Sequence, residues 1–300
     1  MSAPAVFVTG ATGTVGAAVV SSLLARGQRV VAATREDPSA ASSATQGPAA
    51  APAGVEWRHF EFGMPSRRMD AALEGCDRLF LMRPPAIDDV RTFLFPLIDS
   101  AMRCGIRQIG FLSLQGVQHN RRTPHHAVEE YLREVDAPYT SLRPNFFMQN
   151  LSTTYARGIR DDDEISVPAG RSLTAFIDAD DVGRVAAAVL TEPGHLRAAY
   201  TLSGERTLTY RRVASVLSDV LGRRIHYARP SEAEYLARLT AEGAPADYVA
   251  VQKMIYRIVR FNISALPNRT VRRLTGLPAT TFRQFAERER GAWVPASRGK

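Results

Sequence analysis

The chain has 300 residues, 45% of them hydrophobic and 23% charged, which supplies core enough for one large domain or two unequal lobes without disulfide or metal staples. A formal charge of +8 raises the question of nucleic acid, but the 38 basic residues are spread along the chain and all except Lys253 and Lys300 are arginine, so we expect no nucleic-acid partner and a modest attraction for anionic small molecules. No apolar run approaches the ~20 residues of a membrane span, and Cys76 and Cys104 lack metal-ligand spacing, so buried thiols, no metal, no membrane partner and a cytoplasmic location are expected.

The chain opens with Ala5-Val6-Phe7-Val8, an apolar and β-branched run that predicts a buried strand with no signal peptide before it. Three glycines spaced at three follow, Gly10, Gly13 and Gly16, and then Val15, Val19, Val20, Leu23 and Leu24 fall on one helical stripe. Strand, glycine turn and helix in this order describe a diphosphate cradle. Gly10 permits the turn, Gly13 leaves room for a pyrophosphate, and Gly16 lets helix and strand approach. The N–H groups of Thr12, Gly13, Thr14, Val15 and Gly16 then face the phosphates at the positive end of the helix. The same pattern also describes an ordinary strand–helix turn, and the spacing differs from the G-x-G-x-x-G fingerprint.

A second strand, Arg29 to Thr34, ends at Arg35-Glu36-Asp37. Arginine at this point suits a ribose 2′-phosphate, so NADP(H) is the expected cofactor; Glu36 or Asp37 would serve NAD, and a solvated surface arginine is the plain alternative. Residues 38–54 are small and punctuated by proline, which predicts a mobile loop. Val55 to Phe62 reads as a third strand whose end, Glu61 and Phe62, flanks the adenine. A fourth strand, Arg78 to Met82, runs into Arg83-Pro84, placing Met82 at the cofactor and Arg83 and Pro84 in the ligand crevice, or Arg83 as a surface cap. One long helix is predicted from Asp89 to Cys104. The fifth strand ends at Ser113, with Gln115 close behind. Pro124-His125-His126 opens a helix, with His126 expected in solvent, and the sixth strand, from Tyr139, turns at Asn145-Phe146-Phe147-Met148 towards Asn150.

Alternating strands and helices predict an α/β fold with a doubly wound parallel sheet. The glycine loop, Arg35, the His125-x-x-x-Glu129 helix start, and Pro138-Tyr139-Thr140 through Arg143-Pro144 to Phe147 and Asn150 together resemble the NmrA-like atypical short-chain dehydrogenases. The resemblance runs on through Phe176 to Val182, Ala199 to Gly204 and Leu221-Gly222-Arg223. It implies a Rossmann domain over 1–150, rejoined by 176–205, and a smaller α/β substrate lobe from 151–175 and 206–300, with the substrate pocket at the lobe interface. In the second half, Ala175 to Ile177 reads as a strand, Val182 to Leu190 as a helix, and Tyr248 to Phe261 as an amphipathic helix.

The family implied includes NADPH-dependent quinone and dye reductases, benzylic-ether reductases and nucleotide-sensing regulators. No lysine stands near mid-chain, so a Tyr-x-x-x-Lys mechanism is excluded. His125 is the candidate proton donor, being a group that titrates near neutrality, and by the resemblance it occupies the place of the ether-reductase lysine. Ser113 is a second candidate, as a donor to nicotinamide or substrate or as a turn-forming serine. Phe146 and Asn145 are assigned to the cofactor. Arg83, Pro84, Gln115, His125, Phe147, Met148 and Asn150 are assigned to a small-molecule substrate, with the phenylalanines and Met148 able to serve equally as core. The expected function is NADPH-dependent hydride transfer to a quinone-like, azo or other conjugated acceptor, by a monomer or homodimer. A non-catalytic NADP-sensing regulator and a nucleotide-dependent epimerase or dehydratase are the alternatives.

Overall fold

The computed structural model describes residues 5–36 and 54–295. Asp37 and the small-residue tract as far as residue 53 lie outside them. In chain order the elements are β1 (Ala5–Val8), α1 (Thr14–Ala25), β2 (Arg29–Thr34), β3 (Val55–His59), α2 (Ser66–Leu73), β4 (Cys76–Met82), α3 (Val90–Phe93), α4 (Phe95–Arg103), β5 (Gln108–Leu112), α5 (Pro124–Glu134) and β6 (Tyr139–Pro144). Then come α6 (Ala156–Asp161), β7 (Glu164–Ile165), β8 (Leu173–Thr174), α7 (Ala179–Thr191), β9 (Ala198–Leu202), β10 (Leu208–Thr209), α8 (Tyr210–Leu221) and β11 (His226–Tyr227). Helices α9 (Glu232–Ala241), α10 (Ala246–Arg260), α11 (Thr270–Thr275) and α12 (Phe282–Arg288) complete the described chain. None of these helices is long and apolar enough to cross a membrane.

Seven strands form one parallel sheet in the order β3-β2-β1-β4-β5-β6-β9. This is the doubly wound sheet expected from the alternation, and the order reverses between β1 and β4, where such sheets open a ligand crevice. Both faces are covered, so the strands read as continuous apolar runs. Phe7, Val31, Leu79, Leu81, Ile109 and Phe111 pack with Met69, Leu94, Leu97, Ile98, Val128 and Leu132 from α2 to α5. The opposite face is closed by α1 and α7, which touch each other along their length. Gly183 of α7 makes that approach possible, since a Cβ there would stand 2.5 Å from the Ala18 carbonyl oxygen.

The chain divides into two compact units. The sheet unit runs to Pro144 and includes Ala179–Leu202 and Thr270–Gly276, so α11, which composition had not distinguished, packs on α7 and β9. The second unit comprises Asn145–Asp178, Ser203–Arg269 and the residues from Leu277. Its core gathers Leu151, Ile159, Ile165, Tyr210, Leu217, Tyr256, Phe285 and Trp293. The Trp293 indole N–H donates to Leu151 O at 2.7 Å, and Arg223 Nη2 donates to Trp293 O at 2.8 Å.

Four local expectations are corrected. The long helix from Asp89 breaks into α3 and α4, because Pro96 has no N–H to continue the ladder and Asp89 caps α3 by accepting from Thr92 N at 3.1 Å. The third strand stops at His59 because Phe60 turns into the core against Phe7, ring centroids 5.5 Å apart. Ala175 to Ile177 sustains no ladder: Ala175 N donates to Ser264 O and Ile177 N to Phe146 O, two different segments. Cys76 is buried, but Cys104 is exposed, because it caps the C-terminus of α4.

The α1–α7 contact generates a stability prediction. Gly183→Ala should lower the unfolding free energy by about 2–3 kcal/mol, since backbone and not a flexible side chain stands in the way. Denaturant unfolding monitored by circular dichroism checks it, and an unchanged midpoint contradicts it.

Candidate active site

Four residues past the start of β1 the chain reaches Thr9, which sequence reasoning missed. Its N–H donates to Phe80 O at 3.0 Å and its hydroxyl to the same oxygen at 3.1 Å, while the hydroxyl accepts Met82 N at 2.8 Å. Thr9 therefore ties the C-terminal ends of β1 and β4 together. A polar residue closing an apolar strand just before a glycine was the available signal. The turn that follows depends on its glycines. Gly10 has φ 62°, and a Cβ on it would meet Met82 Cε at 2.1 Å. A Cβ on Gly16 would lie 2.0 Å from Gly10 O, and Gly10 O itself accepts Gly13 N at 2.9 Å.

Gly13 is the N-cap of α1 and offers no side-chain cap. Helices α5, α8, α9 and α12 are each capped by a Thr or Ser hydroxyl, whereas α2, α4, α6 and α10 share with α1 the lack of a side-chain cap, so it is the glycine turn in front of α1 that sets it apart. First-turn N–H groups normally need an acceptor, and at α1 the chain supplies none from a cap. An uncapped helix end beside a glycine cradle fits a diphosphate, because both the N–H groups and the helix dipole favour an anion. Arg35 is exposed one residue beyond β2, and Glu61 and the half-buried Phe62 lie on the loop after β3. Phe62 packs edge-on to Phe60, centroids 5.1 Å apart.

The neighbouring strand ends carry the polar candidates of this unit. Register pairs Met82 with Leu112, so Arg83 and Ser113 are adjacent, one residue past each strand. Ser113 is buried, its N–H donates to Leu142 O at 2.7 Å, and its hydroxyl has no partner among the described residues. Arg83 Nη1 donates to Pro84 O and Pro85 O at 3.2 Å and to Ile87 O at 2.5 Å, and stands 3.4 Å from Asp88 Oδ1. Its buried Nε has no partner among the described residues. Burial holds the Arg83 pKa below the usual arginine value, with Asp88 opposing. Two buried orphan polar atoms at one strand edge are costly unless a polar ligand meets them, so this edge also fits a bound polar group. Gln115 follows, its N–H donating to Pro144 O at 3.0 Å.

Helix α5 starts at the same edge, opened by Pro124 and capped by Thr123. His125 lies against Phe111, ring centroids 6.1 Å apart. Burial and then the Arg83 charge push its pKa down to about 4, with the Glu129 carboxylate opposing. This corrects the expectation of a proton donor titrating near neutrality: at pH 7 the imidazole is neutral, and it offers a hydrogen bond instead of a mobile charge. His126, expected in solvent, is buried at 7% exposure, with Nδ1 3.0 Å from Val117 O and Nε2 3.1 Å from Glu130. One turn on, the buried Glu129 is gripped by Arg143 of β6 through two bonds of 2.9 and 2.5 Å. Tyr131 donates to Asp99 at 2.6 Å and stacks on Phe95, which makes it structural.

The remaining candidates belong to the second unit. Asn145 has both ends of its amide engaged, Nδ2 donating to Ser264 O and Oδ1 accepting Phe146 N, each at 2.8 Å. Met148 is 3% exposed within this unit's core, so its assignment as a pocket wall is corrected to packing. Phe146 packs partly against that core, Phe147 bridges Ile177, and Asn150 O accepts Tyr155 N at 2.9 Å.

Comparison with known proteins accords with this geometry. Residues 3–268 match the NmrA-like family. An NAD(P)H azoreductase of Xenophilus azovorans is 30% identical over 297 residues, covering 97% of this chain and 100% of that one. Among solved structures, the NADPH-dependent quinone oxidoreductase of Escherichia coli in complex with NADPH superposes with a TM-score of 0.82 at 24% identity, covering 94% of this chain and 99% of that one. The triphenylmethane reductase of Citrobacter in complex with NADP(H) gives 0.81 at 23%, covering 95% and 99%. With its reversed-order parallel sheet, its uncapped glycine turn and a match over most of its length, the chain belongs to the NmrA-like family.

Proposed function

We propose that this protein is an NADPH-dependent reductase that transfers hydride to a quinone-like, azo or other conjugated small-molecule acceptor. The observation that carries the reading is the glycine cradle before the uncapped N-terminus of α1, together with two buried polar atoms at the ends of β4 and β5 that have no partner among the described residues. The similarity to the azoreductase over the full chain supports it. In this reading the first unit binds the nucleotide: Gly10 to Gly16 hold the diphosphate, and Arg35 pairs with the 2′-phosphate. The nicotinamide, when bound, supplies the hydride.

The chain's own residues do the rest. Ser113 Oγ donates to the carboxamide or the acceptor oxygen. Neutral His125 donates an N–H bond to the acceptor. Arg83, its guanidinium tethered by backbone carbonyls, presents a fixed positive field to the anion that develops on the acceptor after hydride arrives. Preorganised charge of this kind stabilises a transition state without reorganisation. The final proton comes from water, since neither His125 nor a lysine is charged and placed to give it.

NADPH oxidation against a panel of quinones and azo dyes tests the reading: turnover is expected, and binding without turnover on any acceptor would favour a nucleotide sensor. Arg35→Glu should weaken NADPH by roughly tenfold or more while leaving NADH nearly unchanged; equal losses would remove the 2′-phosphate assignment. The pH behaviour gives an independent check. With a folded pKa of about 4 against an ordinary 6.5, His125 is protonated in the unfolded chain first as pH falls. Its neutral burial therefore stabilises the fold fully above 6.5 and progressively less down to about 4, by on the order of 3 kcal/mol in all. His125→Gln should flatten that acid limb in urea melts, and wild-type kcat should show no titration attributable to this imidazole from about pH 5 to about pH 8.

A further inference from the structure

We propose that the loop Ala169–Ser172, with Arg229 and Arg260, forms a second binding site, one for a phosphate group carried by a soluble small molecule. These residues and Asn262 line a cavity of about 350 Å³ that lies wholly within the second unit. A volume of this size admits a phosphate with a small organic group attached.

Three exposed arginines line it, Arg171, Arg229 and Arg260, and none has a side-chain hydrogen-bond or ion-pair partner among the described residues. Some arginines of the same unit are paired, Arg223 with Asp163, Arg257 with Glu232 at 3.0 Å and Arg283 with Asp219 at 2.7 Å, and others such as Arg206, Arg211 and Arg224 stand singly, so what sets this group apart is that three unpaired arginines share one depression. Glu232 is the carboxylate whose ionisation Arg260 favours, and it is already engaged by Arg257. Like charges gathered on one cavity repel unless an anion joins them, and guanidinium remains charged at any physiological pH.

Neighbouring polar groups are engaged elsewhere and leave the cations free. Asn262 spends its Oδ1 on Leu173 N at 2.8 Å, which fixes the loop. Tyr227, close enough for the charges of Arg229 and Arg260 to act on its phenol, gives its hydroxyl proton to Val167 O at 3.0 Å. Five N–H donors on each planar fork match phosphate oxygens in pairs, so a dianion is favoured over a carboxylate or chloride.

Calorimetric titration of pyrophosphate into the full chain at physiological salt tests the site. Saturating NADP keeps the probe out of the α1 cradle, and a parallel run without it separates this site from the nucleotide reading. Wild type should bind, and Arg171→Gln/Arg260→Gln should bind roughly tenfold more weakly or worse, with NADP affinity and thermal midpoint unchanged. Arg229→Gln alone, on an exposed turn, gives the same readout if the double variant does not fold. Absence of binding, equal affinity in the variants, or association with phosphatidic acid vesicles but not with pyrophosphate would each overturn the proposal.

Discussion

The contact on which the molecule turns is between two pieces of backbone. Gly10 O bonds Gly13 N at 2.9 Å and leaves only 2.0 Å for any Cβ on Gly16. That closeness brings the start of α1 down onto the end of β1, so the helix begins at once and without a capping side chain. Thr9 carries the same constraint sideways into β4, and Met82 then lies over Gly10. One turn thus ties two strand ends, those of β1 and β4, and Arg83 and Ser113 stand one residue past β4 and its neighbour β5. A methyl group at Gly16 would displace backbone, and no rotamer change would relieve it.

Electrostatics at the strand edge is decided by which charge is free to act. Glu129 stands one turn from His125 and would raise its pKa, but Arg143 grips that carboxylate in two bonds. Burial is the larger cause of the low pKa, and Arg83, with only carbonyls and one exposed carboxylate for company, adds its charge to it. The imidazole is therefore neutral beside a cation. In the proposed function such a pair meets an anion as it forms and gives up no proton, which is the division of labour expected where hydride arrives before the proton.

Much of the fold was legible because a parallel sheet covered on both faces writes itself as repeated apolar runs. Strand existence, the glycine turn and the sheet class all followed from that. What the sequence did not carry was the effect of one stretch on another. Thr9 acts through β4, seventy residues away, and Met148 looks like any apolar loop residue until the core of the second unit surrounds it. His126 was expected in solvent, yet it is buried and held by Val117 O and Glu130. The depressed pKa of His125 needs Arg83 and Phe111 beside it, and neither is a sequence neighbour. Pro96 was visible, but its break in the helix was masked by a strong apolar stripe.

The almost complete replacement of lysine by arginine shapes the chemistry as well as the charge. Arginine forks can tether several carbonyls at once, as Arg223 does with Ile159 O at 3.0 Å and Trp293 O at 2.8 Å, and as Arg83 does at the strand edge. A lysine ammonium in the Arg83 position would lose this fork geometry, and burial would push its proton off. Arginine keeps its charge under the same burial because its intrinsic pKa is far higher. Arg83 is therefore a permanent cation at this strand end, and in the proposed function it stabilises developing charge while water supplies the proton.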